Sequence, residues 1–165
     1  MTVVSIEKDF DNLTLVLIAE FDAPIERVWQ LWADPRQLER WWGPPTHPAT
    51  VHTHDLADGG EVAYVMTGPA GEKSRGWWRV TAVDPPRSLE FTDGWARPDG
   101  TPNTELPTSS GRVRLVEHEG GTRMELRFAY ESREYMDGLE RGGAFEVFRQ
   151  CVRQMDAILT TQEAS

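Results

Sequence analysis

Cysteine is almost absent: Cys151 is the only one in 165 residues. No intrachain disulfide can therefore staple the chain, and no cysteine-built zinc site can form. Its place one step before Val152 on an apolar helical stripe reads as a small hydrophobe, and nothing local marks it as a nucleophile. Basic side chains are scarce as well, with 17 Lys and Arg against 27 Asp and Glu and a formal net charge of -10. A field of that sign repels phosphate backbones and anionic lipid surfaces, so nucleic-acid binding and electrostatic docking to membranes are disfavoured. No apolar run approaches the ~20 residues of a transmembrane helix, and the polar start MTVVSIEKDF lacks the apolar segment of a signal peptide. The expectation is a soluble, cytoplasmic protein. No linker-like segment separates two cores, which favours one domain over residues 1–165. There is no glycine-rich phosphate loop, because Gly59-Gly60 joins two strand-like runs and opens no helix, and Ser109-Ser110 lacks a nucleophile elbow.

What the chain does have is tryptophan. The stretch RGWWRVTAVDPPRSLEFTDGW, Arg75 to Trp95, carries three of the seven. Pro85-Pro86 cannot donate to a sheet ladder, so the pair marks a turn, and the flanking runs 77–83 and 88–92 become antiparallel neighbours. Alternation also predicts strands over 13–20, 49–56, 61–67, 74–83, 112–117 and 122–130, with turns at Asp58-Gly59-Gly60, at Gly68 to Gly71 and at Glu119-Gly120-Gly121. Asp22-Ala23-Pro24-Ile25-Glu26 looks like a helix start with Asp22 as N-cap, and Ile25, Val28, Trp29 and Trp32 give that helix an apolar face. A second short helix is expected from Pro35 to Trp42, ended by Gly43-Pro44-Pro45. Residues 95–110 form the longest irregular segment. A helix start is expected near Glu131 to Glu134, with an interruption at Gly142-Gly143. Beyond it, Phe145, Phe148, Val152, Met155 and Leu159 recur at three- and four-residue steps along a long final helix over 143–160. The economical arrangement is α+β: a curved antiparallel sheet of about seven strands, two short helices after the first strand, and the long C-terminal helix gripped against the concave face.

Three segments carry a family resemblance that covers nearly the whole chain: FDAPIERVWQLWADPRQLERWWGPP, DLADGGEVAYVMTGPAGEKSRGWWRVTAVDPPRSLEFTDGW, and RMELRFAYESREYMDGLERGGAFEVFRQCVRQMDAIL. They resemble the bacterial START-like (SRPBCC, Bet v-like) superfamily with its helix-grip fold. Within it they are most similar to the group related to the C-terminal domain of the activator of the ninety-kilodalton heat-shock chaperone's ATPase. The resemblance implies that fold. For function it implies only a range, since members include lipid and hormone carriers, polyketide cyclases and co-chaperone domains. Two departures stand out. Eukaryotic co-chaperones place a chaperone-binding domain before this one, whereas only 12 residues precede the first predicted strand, so the co-chaperone role is not carried over. Where the group commonly starts its final helix with glycine and tryptophan, Gly143 is followed by Ala144-Phe145.

Gripping a helix makes one parity of each strand face inward, and the apolar members choose it: Val62, Tyr64 and Met66; Trp78 and Val80; Leu89 and Phe91; Val113 and Leu115; Met124, Leu126, Phe128 and Tyr130. The same parity puts His52, His54 and Leu56 on that face. Large rings and a flexible thioether can wall a pocket without filling it. The candidate ligand-contacting residues are Trp42, His54, Tyr64, Met66, Trp78, Phe91, Trp95, Phe128, Phe145, Phe148 and Val152. His52 and His54 lie ~7 Å apart on one strand face, too far to share a metal without distortion, and no third ligand is evident. No metal and no cofactor are expected. His54 could act as a polar handle in an apolar pocket. No catalytic residue is assigned, because the carboxylates show no paired spacing for an acid and a base. The leading expectation is non-catalytic binding of a small hydrophobic or lipid-like ligand between sheet and helix. The alternatives are a cyclase- or hydrolase-type enzyme in the same cavity and a chaperone-associated stress-response domain. A homodimer and a chaperone contact stay open.

Overall fold

Strict alternation of buried and half-buried side chains along Thr14–Phe21 (β2) puts Leu15, Leu17, Ala19 and Phe21 on one face, and that face becomes the inside of the molecule. The computed structural model describes the backbone of residues 3–164 and the side chains of residues 5–160. The other strands are β1 (Val3–Asp9), β3 (Ala49–His54), β4 (Glu61–Thr67), β5 (Lys73–Asp84), β6 (Ser88–Trp95), β7 (Ser109–His118) and β8 (Gly121–Tyr130). They form one antiparallel sheet in the order β1-β2-β8-β7-β6-β5-β4-β3. Helices α1 (Ile25–Ala33) and α2 (Pro35–Trp41) follow β2, and α3 (Arg133–Arg141) and α4 (Ala144–Ala164) end the chain. This is the helix-grip fold. Among the described residues no helix is long and apolar enough to cross a membrane.

Two local expectations change. The sheet has eight strands, because 3–9, too polar to signal a strand, pairs with β2 along the free edge. Helix α1 is not capped by Asp22: its N-cap position is Pro24, whose carbonyl accepts from the amides of Arg27 and Val28 at 3.0 and 3.1 Å, and Asp22 lies two residues too early. Asp34, in contrast, caps α2, accepting from the Arg36 amide at 2.9 Å ahead of Pro35.

The other edge carries the feature that reverses a sequence expectation. β3 has a register shift between Val51 and Thr53, so Ala49 and Val51 point inward before it while His52 is exposed. Simple parity assigned His52 to the inner face; the extra residue turns it out. Helix α2 covers this edge, with the Val51 amide donating to Glu39 Oε2 at 2.9 Å and Arg36 donating to the Val51 carbonyl at 2.7 Å. Paired and covered, the edge no longer offers a free ladder.

Aromatic rings fill the concave face because glycine stands opposite them. Gly111 of β7 lies between Phe91 and Phe128 in register, and a Cβ there would come within 2.7 Å of the Phe91 ring and 3.0 Å of Phe128. Gly76 plays the same part for Tyr64, whose hydroxyl lies where a side chain would begin. Trp78 stacks on Phe91 (4.3 Å, 17°) and meets Trp42 edge to face (4.8 Å, 80°). Trp32 and Trp41 extend this block, and Trp41 donates to the Leu31 carbonyl at 2.8 Å. The indole N–H groups of Trp32, Trp42 and Trp78 have no hydrogen-bond partner among the described residues. Their contacts with neighbouring rings are largely edge to face, the geometry in which a polar edge meets the negative face of a π-system.

Candidate functional site

Packing is dense at the α1 and α2 end and looser toward α3. Gln154 of α4 donates to the Gly43 and Trp41 carbonyls at 2.8 and 3.3 Å, clamping the helix to the end of α2. One turn and more toward its N-terminus α4 stands off the sheet, leaving a cavity of about 280 Å³. The sheet contributes Tyr64, Met66, Asp93, Trp95, Phe128 and Tyr130, and α4 contributes Phe145, Phe148 and Cys151. Tyr135 and Leu139 of α3 close one end, with Trp42 and Pro44 at the other. Trp95, 41% exposed, forms part of the rim.

Seven of the eleven residues expected from sequence meet at this cavity: Trp42, Tyr64, Met66, Trp95, Phe128, Phe145 and Phe148. Four do not. Trp78 and Phe91 are 0% and 1% exposed and stack behind the wall, because the Trp42 ring covers the Trp78 indole. Val152 is fully buried against the core, since α4 has by then closed on the sheet. His54 is half-buried and its Nε2 lies 3.0 Å from the Trp32 carbonyl, so it ties β3 to α1 and is no polar handle for a ligand. Among the described residues no group of three or more His, Cys, Asp or Glu side chains is placed to hold a metal ion.

The polar residue that sequence reasoning passed over is Asp93. It shares the parity of Leu89 and Phe91 on β6, which was the available signal, and it lies opposite Trp78 and Ser109 in register. By exposed area it is only half-buried, yet the solvent it touches lies in the cavity and protein surrounds it on every other side. Desolvation therefore dominates and raises its carboxyl to about 7, against the weaker opposing pull of the backbone amides of Ser109 and Asp93 itself. The phenols of Tyr64 and Tyr130 are held above the usual range, first by burial and then by the negative charge of Asp93. Trp42 acts weakly the other way on Tyr64, without meeting good hydrogen-bond geometry. Burial pushes the Cys151 thiol up to about 12, which leaves it un-ionised and unreactive at neutral pH.

The raised carboxyl makes a stability prediction with a definite sign. An acid whose folded pKa exceeds its unfolded one binds more protons when folded, so the destabilisation it causes is nearly absent at about pH 4, grows between about pH 4 and about pH 7, and is fully present above that. Asp93→Asn, which removes the charge but keeps the shape, is expected to stabilise the protein at about pH 8 by on the order of 2 kcal/mol and to do little at about pH 4. The full shift would predict more, but cavity water screens part of it. Denaturant melts of both proteins at the two pH values check this; equal midpoints at high pH would show that the carboxylate is well solvated.

A family model described as Activator of Hsp90 ATPase homolog 1-like protein matches residues 22–160, which takes in every element that lines the cavity except β2. The chain belongs to this family. Two solved structures of close sequence agree with the membership. Protein Ms6760 from Mycobacterium smegmatis is 50% identical, with a TM-score of 0.87 over 95% of this chain and 96% of that one. A protein from Arthrobacter aurescens is 48% identical, with a TM-score of 0.92 over 97% and 93%. A protein from Rhodobacter sphaeroides, 23% identical, shares the fold with a TM-score of 0.81 over 95% of this chain and 98% of its own. A comparison with curated proteins finds no match. For this member of the Activator of Hsp90 ATPase homolog 1-like family, the cavity is thus the feature from which function must be argued.

Proposed function

We propose that this protein binds a compact, largely apolar small molecule between the concave sheet and α4 without forming a covalent bond to it. One observation carries this reading: a cavity of about 280 Å³ stays unfilled although large rings surround it. A core under selection for packing alone would close, because each unfilled volume forfeits dispersion contacts. The volume lies just under the ~300–1,000 Å³ typical of small-molecule pockets. It therefore favours a one- or two-ring ligand and disfavours a long acyl chain.

Asp93, with its carboxyl near 7, favours a second reading in which the same cavity performs acid–base catalysis. A complementary group is missing, however. Tyr64, Tyr130 and Cys151 are all held protonated by burial and cannot serve as bases near neutrality. Binding alone is the better-supported function. Association with a chaperone rests only on the family's name.

An environment-sensitive apolar dye is expected to saturate at one per chain and to quench part of the tryptophan emission, since Trp42 and Trp95 both line the cavity. Fluorescence titration with a native mass spectrum gives affinity and stoichiometry. Non-saturable binding, or none, would sink the proposal, and stable capture of a chaperone by the same preparation would then favour the interaction reading.

A further inference from the structure

The walls of the cavity are apolar rings, yet one carboxyl group points the same way as they do. Asp93 enters no ion pair among the described residues, and no lysine or arginine lines the cavity. The one lysine that touches a cavity ring, Lys8 at 5.6 Å from the Phe145 centroid, is held by Glu140 at 2.9 Å. No cation acts on the Asp93 carboxyl: only burial and backbone amides do. Tyr64, Tyr130 and Tyr135 line the same cavity. The Asp93 charge is felt by both Tyr64 of β4 and Tyr130 of β8, and Tyr130 meets Tyr135 of α3 edge to face at 6.1 Å.

A buried carboxylate with no internal cation beside it is unfavourable for folding, which points to a compensating role. Aromatic faces surrounding a single negative charge form the environment that suits an alkylammonium ion, whose charge is attracted both to the carboxylate and to the ring quadrupoles. We propose that the ligand of this cavity carries a cationic amine, its ammonium seated against Asp93 and flanked by the rings of Tyr64, Tyr130 and Tyr135. The inference rests on the reading of the cavity as a ligand site and specifies the chemistry of the ligand. The protein's net charge of -10 acts in the same direction by raising the concentration of cations around the molecule.

The test uses two probes of nearly identical shape, phenyltrimethylammonium and its neutral carbon isostere tert-butylbenzene, each titrated into the intact protein and followed by tryptophan emission and chemical-shift changes. At about pH 8 the cation is expected to bind roughly tenfold or more tightly than the isostere. Asp93→Asn should abolish that preference while leaving the affinity for tert-butylbenzene within about twofold. A second measurement needs no variant. Phenyltrimethylammonium has no proton to lose, so in the unaltered protein its preference should shrink as pH falls from about 8 to about 5.5 and Asp93 takes up a proton. The other titratable groups at the cavity are Tyr64, Tyr130, Tyr135 and Cys151, and burial holds Tyr64, Tyr130 and Cys151 protonated across this window. Equal or tighter binding of tert-butylbenzene would overturn the cation inference and leave the ligand-cavity reading standing. Binding of neither probe would overturn both. A preference for the cation that survives both the asparagine variant and low pH would remove Asp93 from the proposal.

Discussion

Val152→Pro is expected to remove most of the protein's stability. Val152 is fully buried in the interior of α4, with just over two turns of helix before it and just over three after it. Proline there has no N–H to donate to the carbonyl of Phe148, and its ring collides with that same carbonyl, which together cost about 3 kcal/mol or more. The kink would also swing Met155, Ile158 and Leu159 off the sheet, and these are buried core residues. Against a total of about 5–15 kcal/mol, such a loss leaves a marginal or unfolded chain. For a domain of this size about 3 kcal/mol corresponds to a fall of roughly 6–12 °C in Tm. Circular dichroism melts check this. An unchanged Tm would mean that α4 is not the helix that closes the concave face.

Replacing Trp78 by alanine should cost about 3–5 kcal/mol, the range for removing a buried aromatic ring. Its indole is fully buried, stacked on Phe91, crossed by Trp42 and touched by Trp32 at 6.0 Å. The neighbours cannot collapse into the void, because each is itself locked among rings. Trp78→Phe provides the contrast: it keeps most of the stacking and removes an indole N–H that has no partner, so it should cost much less than the alanine variant. Denaturant unfolding of the pair decides the point. If both variants were equally destabilised, an unseen hydrogen bond from the indole would be the dominant contribution. Because Trp78 stands behind the cavity wall, a loss of stability should also precede any change in dye affinity. A variant of unaltered stability with altered dye binding would place the ring in the cavity after all.

The residues that could be read in advance are those whose behaviour is local. Alternation along 14–21, 61–67 and 122–130 marks strands because side chains of a strand point to opposite faces, whatever the partner strand. Pro85-Pro86 and the glycine pairs mark turns because of backbone chemistry they carry with them. The three- and four-residue steps from Phe145 to Leu159 mark a helix for the same reason. Strand β1 escaped because an edge strand needs little apolar content: hydrogen bonds to β2, which follows it across the turn at 10–13, hold it, and backbone pairing leaves no mark on side-chain pattern. Asp22 was misplaced as a cap because the proline at 24 sets the first turn.

Fold class, the inward parity of most strands and the aromatic character of the interior all follow from periodicity and composition, and so were legible without coordinates. Tertiary structure decided which of those inward residues stop at a cavity and which are sealed behind it. Trp78 and Phe128 have the same parity and a similar apolar character, yet one is stacked under Trp42 and the other faces open space. The difference lies in how far α4 stands from each strand, set by the Gln154 clamp at one end and the intrusion of α3 at the other. His52 turned outward through a bulge that parity cannot foresee, and Asp93, one carboxylate among 27 acidic side chains, became distinctive only through what surrounds it. Burial and the absence of a neighbouring cation are properties of three-dimensional proximity, and they convert an ordinary aspartate into the one polar group the cavity contains that titrates near neutrality.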